Sequence, residues 1–182
     1  GSLITSNTAM YESAGFFYEA KSEATLVVDN TTFEANFADY AAAAMHLSVG
    51  GQHSLTATFT KVTFNQNEAG YEGAGLQIGG DGDVDLTITD CSFTENEAGY
   101  AGGGMRIGRG GNLQLKMWTT EFINNVADYE GGAVHVGGGL SFEGKMTEVL
   151  FDGNTTNYEG AAIELDAGGG GMLMLVDSWV LN

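Results

Sequence analysis

The stretch Phe122-Ile-Asn-Asn125-Val-Ala-Asp-Tyr129-Glu-Gly-Gly-Ala-Val134-His-Val136 decides how the chain is read. An aromatic residue is followed three places later by Asn, and four places after that by Tyr. Small residues and a short apolar alternation come next. The same frame recurs at Phe33-Glu-Ala-Asn36, Phe64-Asn-Gln-Asn67, Phe93-Thr-Glu-Asn96 and Phe151-Asp-Gly-Asn154, with Tyr40, Tyr71, Tyr100 and Tyr158 in step. The alternation returns as Met45-His-Leu47, Leu76-Gln-Ile78, Met105-Arg-Ile107 and Ile163-Glu-Leu165. Outward from this block, Ile4, Asn7, Tyr11, Phe16 and Tyr18 fit the frame at one end, and Val180 takes the Phe place at the other. Successive Phe positions are 31, 29, 29 and 29 residues apart, and the extra two residues fall around Gly50-Gly-Gln-His-Ser54.

The repeating unit is made of strands. Leu55-Thr-Ala-Thr-Phe59-Thr, Leu86-Thr-Ile88 and Leu113-Gln-Leu115-Lys-Met117 alternate with period two, which places successive side chains on opposite faces of a strand. Gly79-Gly-Asp-Gly82 and Gly108-Arg-Gly-Gly111 interrupt the pattern as turns do. A helical repeat would need longer runs of period 3.6 and fewer glycines. Each unit therefore holds two clear strands and a third near Thr31-Thr-Phe33. The fold expected is all-β: a single-stranded right-handed parallel β-helix of six 29-residue coils plus a partial seventh, forming one domain over residues 1–182. Gly1-Ser2 reads as a cloning scar.

Composition narrows the function classes. Asp and Glu number 24 against 6 Lys and Arg, for a net charge of −18. Phosphate binding needs clustered cations, so nucleic acid is not an expected partner. A single cysteine excludes an internal disulfide. No apolar run approaches the length of a membrane span, so membrane insertion is not expected.

The Phe-x-x-Asn motif, with Gly131-Gly-Ala-Val134 and the looser Gly160-Ala-Ala-Ile163, resembles the repeats of the polymorphic outer-membrane protein family. It is also similar to the broader pectate-lyase-like β-helix class. The resemblance implies a solenoid and a place at the cell surface. It spans adhesins, autotransporter passengers, polysaccharide enzymes and ice-binding proteins.

In a solenoid, equivalent residues stack into columns. The Phe column reads as core, and the Asn column as an internal ladder of amides. Cys91 shares its column with Thr31, Val62, Thr120 and Val149, and reads as inert filler. The Tyr column is either a cover over a bend or an aromatic strip for sugar rings. Beside it run Glu12, Glu72, Glu130 and Glu159, with Asp39 and Asp128 two places earlier. These form either a solvated edge or a cation site. Asp128, Glu130 and Glu159 are the densest group, and calcium is the cation such oxygens suit. Gly79–Asp83 resembles a calcium-binding turn, but Val84 stands where an Asp is needed.

Two further faces carry polar columns. Thr56, Thr58, Thr60, Thr87 and Thr89 suggest an ice-binding array, which Gln114, Lys116, Trp118, Glu143 and Lys145 then interrupt. Arg106, His135 and Glu164 fall on three successive coils and are the strongest catalytic set. No repeated Asp pair of the kind β-helix lyases use accompanies them, so no catalytic residue is assigned. Finally, His46, Gln77, Arg106, His135 and Glu164 form one outward column. Gly75, Gly104 and Ala133 flank it on one side, and Ser48, Gly79, Gly108 and Gly137 on the other. The expectation is a flat or grooved strip, with one larger side chain standing per coil, that serves as the ligand-binding face, on which replacing Gly75, Gly104 and Ala133 by Gln would spare the fold. The function expected is an extracellular or cell-surface binding or adhesion module for a polysaccharide or another protein, not an enzyme. Alternatives are an ice-binding protein or a polysaccharide-cleaving enzyme. The outward Met172, Met174 and Val176 on the last coil suggest either a segment of a longer protein or end-to-end self-association.

Overall fold

Alternating apolar residues, glycine-rich turns and one Asn per unit wind the chain into a parallel β-solenoid. The structure is a computed structural model that describes residues 1–138 and 141–181, the side chains of Arg109 and Ala167 excepted. Among the described residues there is no helix.

Each full coil contributes four strands, where the sequence suggested two or three. A coil begins on the Phe sheet, for example Thr31–Glu34, and passes through a two-residue strand, Phe37–Ala38. A bend carries the Tyr and acidic columns. The chain then runs through the corner strand Met45–Val49 and the broad strand Ser54–Thr60. The Phe sheet has seven strands and the other three sheets have six each, which gives six coils and a partial seventh. All pairings are parallel; the register is 29 residues, as where Phe93 faces Phe122 and Phe122 faces Phe151, and 31 across the insertion, where Phe33 faces Phe64. The two extra residues form a turn at the corner after Val49, where His53 N–H donates to Gly50 O at 3.1 Å.

Two columns organise the interior. The rings of Phe33, Phe64, Phe93, Phe122 and Phe151 are buried and lie nearly parallel, with centroids 4.6–5.2 Å apart. Aromatic stacking of this kind adds about 0.5–1.5 kcal/mol per pair beyond the area buried. Beside it, the Asn amides form a continuous ladder. Asn67 Nδ2 donates to Asn96 Oδ1 at 2.9 Å and to Phe33 O at 3.1 Å. Asn96 Oδ1 also accepts from Asn67 N at 3.2 Å. The same three contacts repeat at Asn96 and Asn125. Both donors and both lone pairs of an interior amide are thus used.

The residue before each ladder Asn has a left-handed backbone: Ser6, Ala35, Gln66, Glu95, Asn124 and Gly153 have φ between 51° and 63°. A second such corner precedes the Phe sheet at Asn30, Lys61, Asp90, Thr119, Glu148 and Asp177. Most of these residues are not glycine, so each corner costs roughly 1 kcal/mol or more that stacking must offset. Cys91 is buried, and its Sγ donates to Thr89 O at 3.2 Å, as the hydroxyl of Thr120 does to Trp118 O at 2.8 Å. Burial pushes the Cys91 thiol up, which fits the inert role expected of it.

Replacing Asn96 with Ala should cost on the order of 3 kcal/mol or more, because the neighbouring amide and carbonyl are left unpaired in the core. The same change at the exposed Asn7 should cost about 1 kcal/mol. Urea unfolding of the two variants beside the parent chain measures the difference.

Candidate functional site

Two features run the length of the solenoid beside the bend: an exposed edge and a re-entrant corner. The edge is the Tyr column. Tyr40, Tyr71, Tyr100, Tyr129 and Tyr158 stack with centroids 4.7–5.3 Å apart. Unlike the Phe column, these rings face water: Tyr40 is 50% exposed, Tyr71 37%, Tyr129 44% and Tyr158 70%. Tyr100 OH donates to Glu130 Oε1 at 3.2 Å, and the Glu130 charge raises its phenol.

The corner holds the column His46, Gln77, Arg106, His135 and Glu164, which pair in register on adjacent strands. Here the structure corrects the sequence reading. The side chains do not stand out from a strip: His46 is 8% exposed, Gln77 7% and His135 5%. The bend folds back over it. A β-carbon on Gly73 would lie 2.8 Å from Gln77 Cβ, and one on Gly131 would lie 2.7 Å from His135 Cβ. The flanking residues divide into two kinds. Gly75, Gly104 and Ala133 are buried and point inward; a β-carbon on Gly104 would sit 2.9 Å from Phe122 Cδ1. Replacing them with Gln would force a polar chain against the Phe column, so that change cannot spare the fold. Gly137 does lie on the outer face, as expected, and a β-carbon there would meet His135 Cε1 at 2.6 Å. The glycine makes room for the imidazole to lie down.

The acidic column is less uniform than the sequence suggested. Isolated bridges run Glu12–Ala41–Glu72–Ala101–Glu130–Glu159, so the first three carboxylates are two coils apart. Coils with Ala in this column carry the basic side chain in the corner. His46 Nδ1 lies 3.3 Å from Glu12 Oε2, and Arg106 Nη1 lies 3.0 Å from Glu72 Oε2. The sequence signal for this pairing was the Ala at 41 and 101, which the repeat alone did not explain. The alternation ends at Glu130, followed directly by Glu159.

Glu130 does not gather with Asp128 and Glu159 as a set of three ligands. Instead Glu130, His135 and Glu164 bring donor atoms within 4.8 Å of one another. Asp128 is exposed beside Tyr129, Asn157 and Tyr158. In the glycine-rich turn, Asp83 Oδ1 accepts from Asn112 N at 2.8 Å and Asn112 Nδ2 at 3.0 Å, a structural use of the carboxylate. On the broad sheet, Thr56 pairs with Asp85 and then Gln114, so each threonine column is short.

Residues 119–137 match the Chlamydia polymorphic membrane protein repeat. This segment holds Phe122, Asn125, Tyr129, Glu130, Gly131 and His135, that is, one Phe strand, one bend and one corner. The chain thus resembles a polymorphic outer-membrane protein-like parallel β-helix. No curated protein and no solved structure matches it. No helix among the described residues is long and apolar enough to cross a membrane.

Burial sets the charge state of the corner histidines. It pushes His135 down to about 4, with Arg106 adding to the shift and Asp166 opposing it. His46 is lowered mainly by burial too, against the pull of Glu12. Both are neutral at pH 7. The unfolded chain takes up these protons first, so the stability linked to neutral histidine is complete above the ordinary value of 6.5 and is lost as pH falls toward the lowered folded values. Glu72 and Glu164 are raised, chiefly by burial, and act with the opposite sign. Gln is already accommodated in this column at Gln77. His46→Gln should therefore fold, and should unfold less readily than the parent on acidification from pH 7 to pH 5. Melting curves at matched pH test this, and equal losses in both chains would contradict it.

Proposed function

We propose that the chain is an extracellular, surface-displayed binding module that grips an elongated ligand along its tyrosine edge. The observation that carries this reading is the exposed stack of five tyrosines, spaced by the solenoid itself. Tyr offers an apolar ring face with a polar tip, and it costs little entropy to hold when stacked. A row of such faces with acidic neighbours suits a linear polysaccharide or an extended segment of another protein. The match to a membrane-protein repeat supports a cell-surface setting. Regular columns support binding over catalysis, since they repeat one contact along the axis and do not converge on one bond. The edge replaces the corner strip as the contact surface because His46, Gln77 and His135 are buried and Arg106 and Glu164 half-buried.

A glycan array and a panel of surface proteins identify the ligand. Tyr71→Ser, Tyr100→Ser and Tyr129→Ser together should abolish binding while the circular dichroism spectrum stays that of the parent. Binding that survives the triple change places the contact elsewhere. Release of reducing ends or unsaturated products from a polysaccharide would replace this reading with an enzyme, and thermal hysteresis would replace it with ice binding.

A further inference from the structure

The corner column ends in a group that stacking does not use up. Glu130, His135 and Glu164 each present one donor atom, all within 4.8 Å of one another. His135 Nε2 lies 3.4 Å from Glu130 Oε2. The His135 side chain is only 7% exposed, yet its Nδ1 has no hydrogen-bond partner. Glu164 Oε2 is buried and unpartnered as well. Leaving a buried polar atom unpaired costs about 1–3 kcal/mol, and two such atoms in one small cluster call for an explanation.

The imidazole is held in place from both sides. Gly131 lies against His135 Cβ, and the ring rests over Gly137, where a β-carbon would be 2.9 Å from Nε2. The charge around it is lopsided. Glu164 feels Glu130, Glu159 and Asp166, each of which adds to the effect of burial in raising its carboxyl. The nearest basic side chain in the column, Arg106, is engaged by Glu72 at 3.0 Å. His46 Nδ1, 3.3 Å from Glu12 Oε2, lacks a hydrogen-bond partner too, but the site there has one carboxylate and not two, and the ring packs edge-on against Phe17 with centroids 5.3 Å apart.

We propose that Glu130, His135 and Glu164 bind a first-row divalent transition metal of the zinc class, leaving at least one coordination position open. One imidazole nitrogen and two carboxylate oxygens form a donor set that such ions accept, with bonds of about 2.0–2.2 Å. Calcium prefers six to eight oxygens, and a buried imidazole does not serve it. Small side-chain rotations of the two half-buried glutamates close the distance to a shared ion. The neutral imidazole is the ligating form. The ion satisfies the buried donor atoms it binds and cancels the crowding of carboxylates. This site does not depend on the tyrosine edge.

The test uses the full chain, stripped of metal with a chelator. Calorimetric titration with Zn²⁺ should show one ion bound per chain, and the melting temperature should rise with Zn²⁺ and much less with Ca²⁺. Co²⁺ in place of Zn²⁺ should give ligand-field absorption in the visible. His135→Gln and Glu164→Gln should each weaken Zn²⁺ by at least the roughly 10–100-fold that follows loss of an outer-shell partner. His46→Gln should leave it unchanged. Melting curves in chelator show whether each variant is folded, and Glu164→Gln carries the test if His135→Gln is not. Absence of saturable Zn²⁺ binding overturns the proposal. So does binding that persists in a folded His135→Gln or Glu164→Gln chain, or equal stabilisation by Ca²⁺.

Discussion

The asparagine ladder constrains everything else in this solenoid. An interior amide has two donors and two lone pairs to satisfy, and here each donates to the next Asn and to a Phe carbonyl one coil away, and accepts from the side-chain and backbone N–H groups of the preceding Asn. That arrangement exists only if every coil places its Asn at the same height and facing inward. A slip of one residue would turn the side chain to the outer face and strand several polar groups in the core. The ladder thus enforces the 29-residue register. It explains why the two-residue insertion lies in a turn at the far side of the coil, where no ladder passes. It also stabilises the left-handed residue that precedes each Asn, a place where Gln66, Glu95 and Asn124 would be unfavourable alone.

The ladder and the Phe stack were legible in the sequence because each is one residue type at one interval. The corners were not. Left-handed turns usually show themselves as glycine, but among the described residues thirteen other than glycine have positive φ, since the strain is overcome by neighbouring coils and not avoided locally. The re-entrant bend was hidden for a related reason. Gly104 and Arg106 are two apart, and strict alternation puts them on one face. The corner strand begins only at Met105, however. Alternation holds within the strand, so Gly108 shares a face with Arg106, and fails one residue before it, so Gly104 points into the Phe column. Side-chain partners across coils were also out of reach of pattern reading. Glu72 and Arg106 lie 34 residues apart in sequence, a separation that matches no strand period and follows only from one coil plus five residues of bend.

The acidic column shows how stacking and charge compete. Like charges on adjacent strands repel. Over the first four coils the chain avoids this by alternating Glu with Ala and by setting His46 or Arg106 where the carboxylate is missing. A sequence shaped by stacking alone would continue that pattern. It does not: Glu130 and Glu159 occupy successive coils, and Glu164 follows His135 in the corner, so carboxylates pile up there, and Arg106, the cation of the preceding coil, is already paired with Glu72. The departure is local and costs stability, while the Phe and Asn columns run through the same coils unchanged. A break confined to the charged columns, with the register intact beneath it, is what a site placed on a regular scaffold looks like.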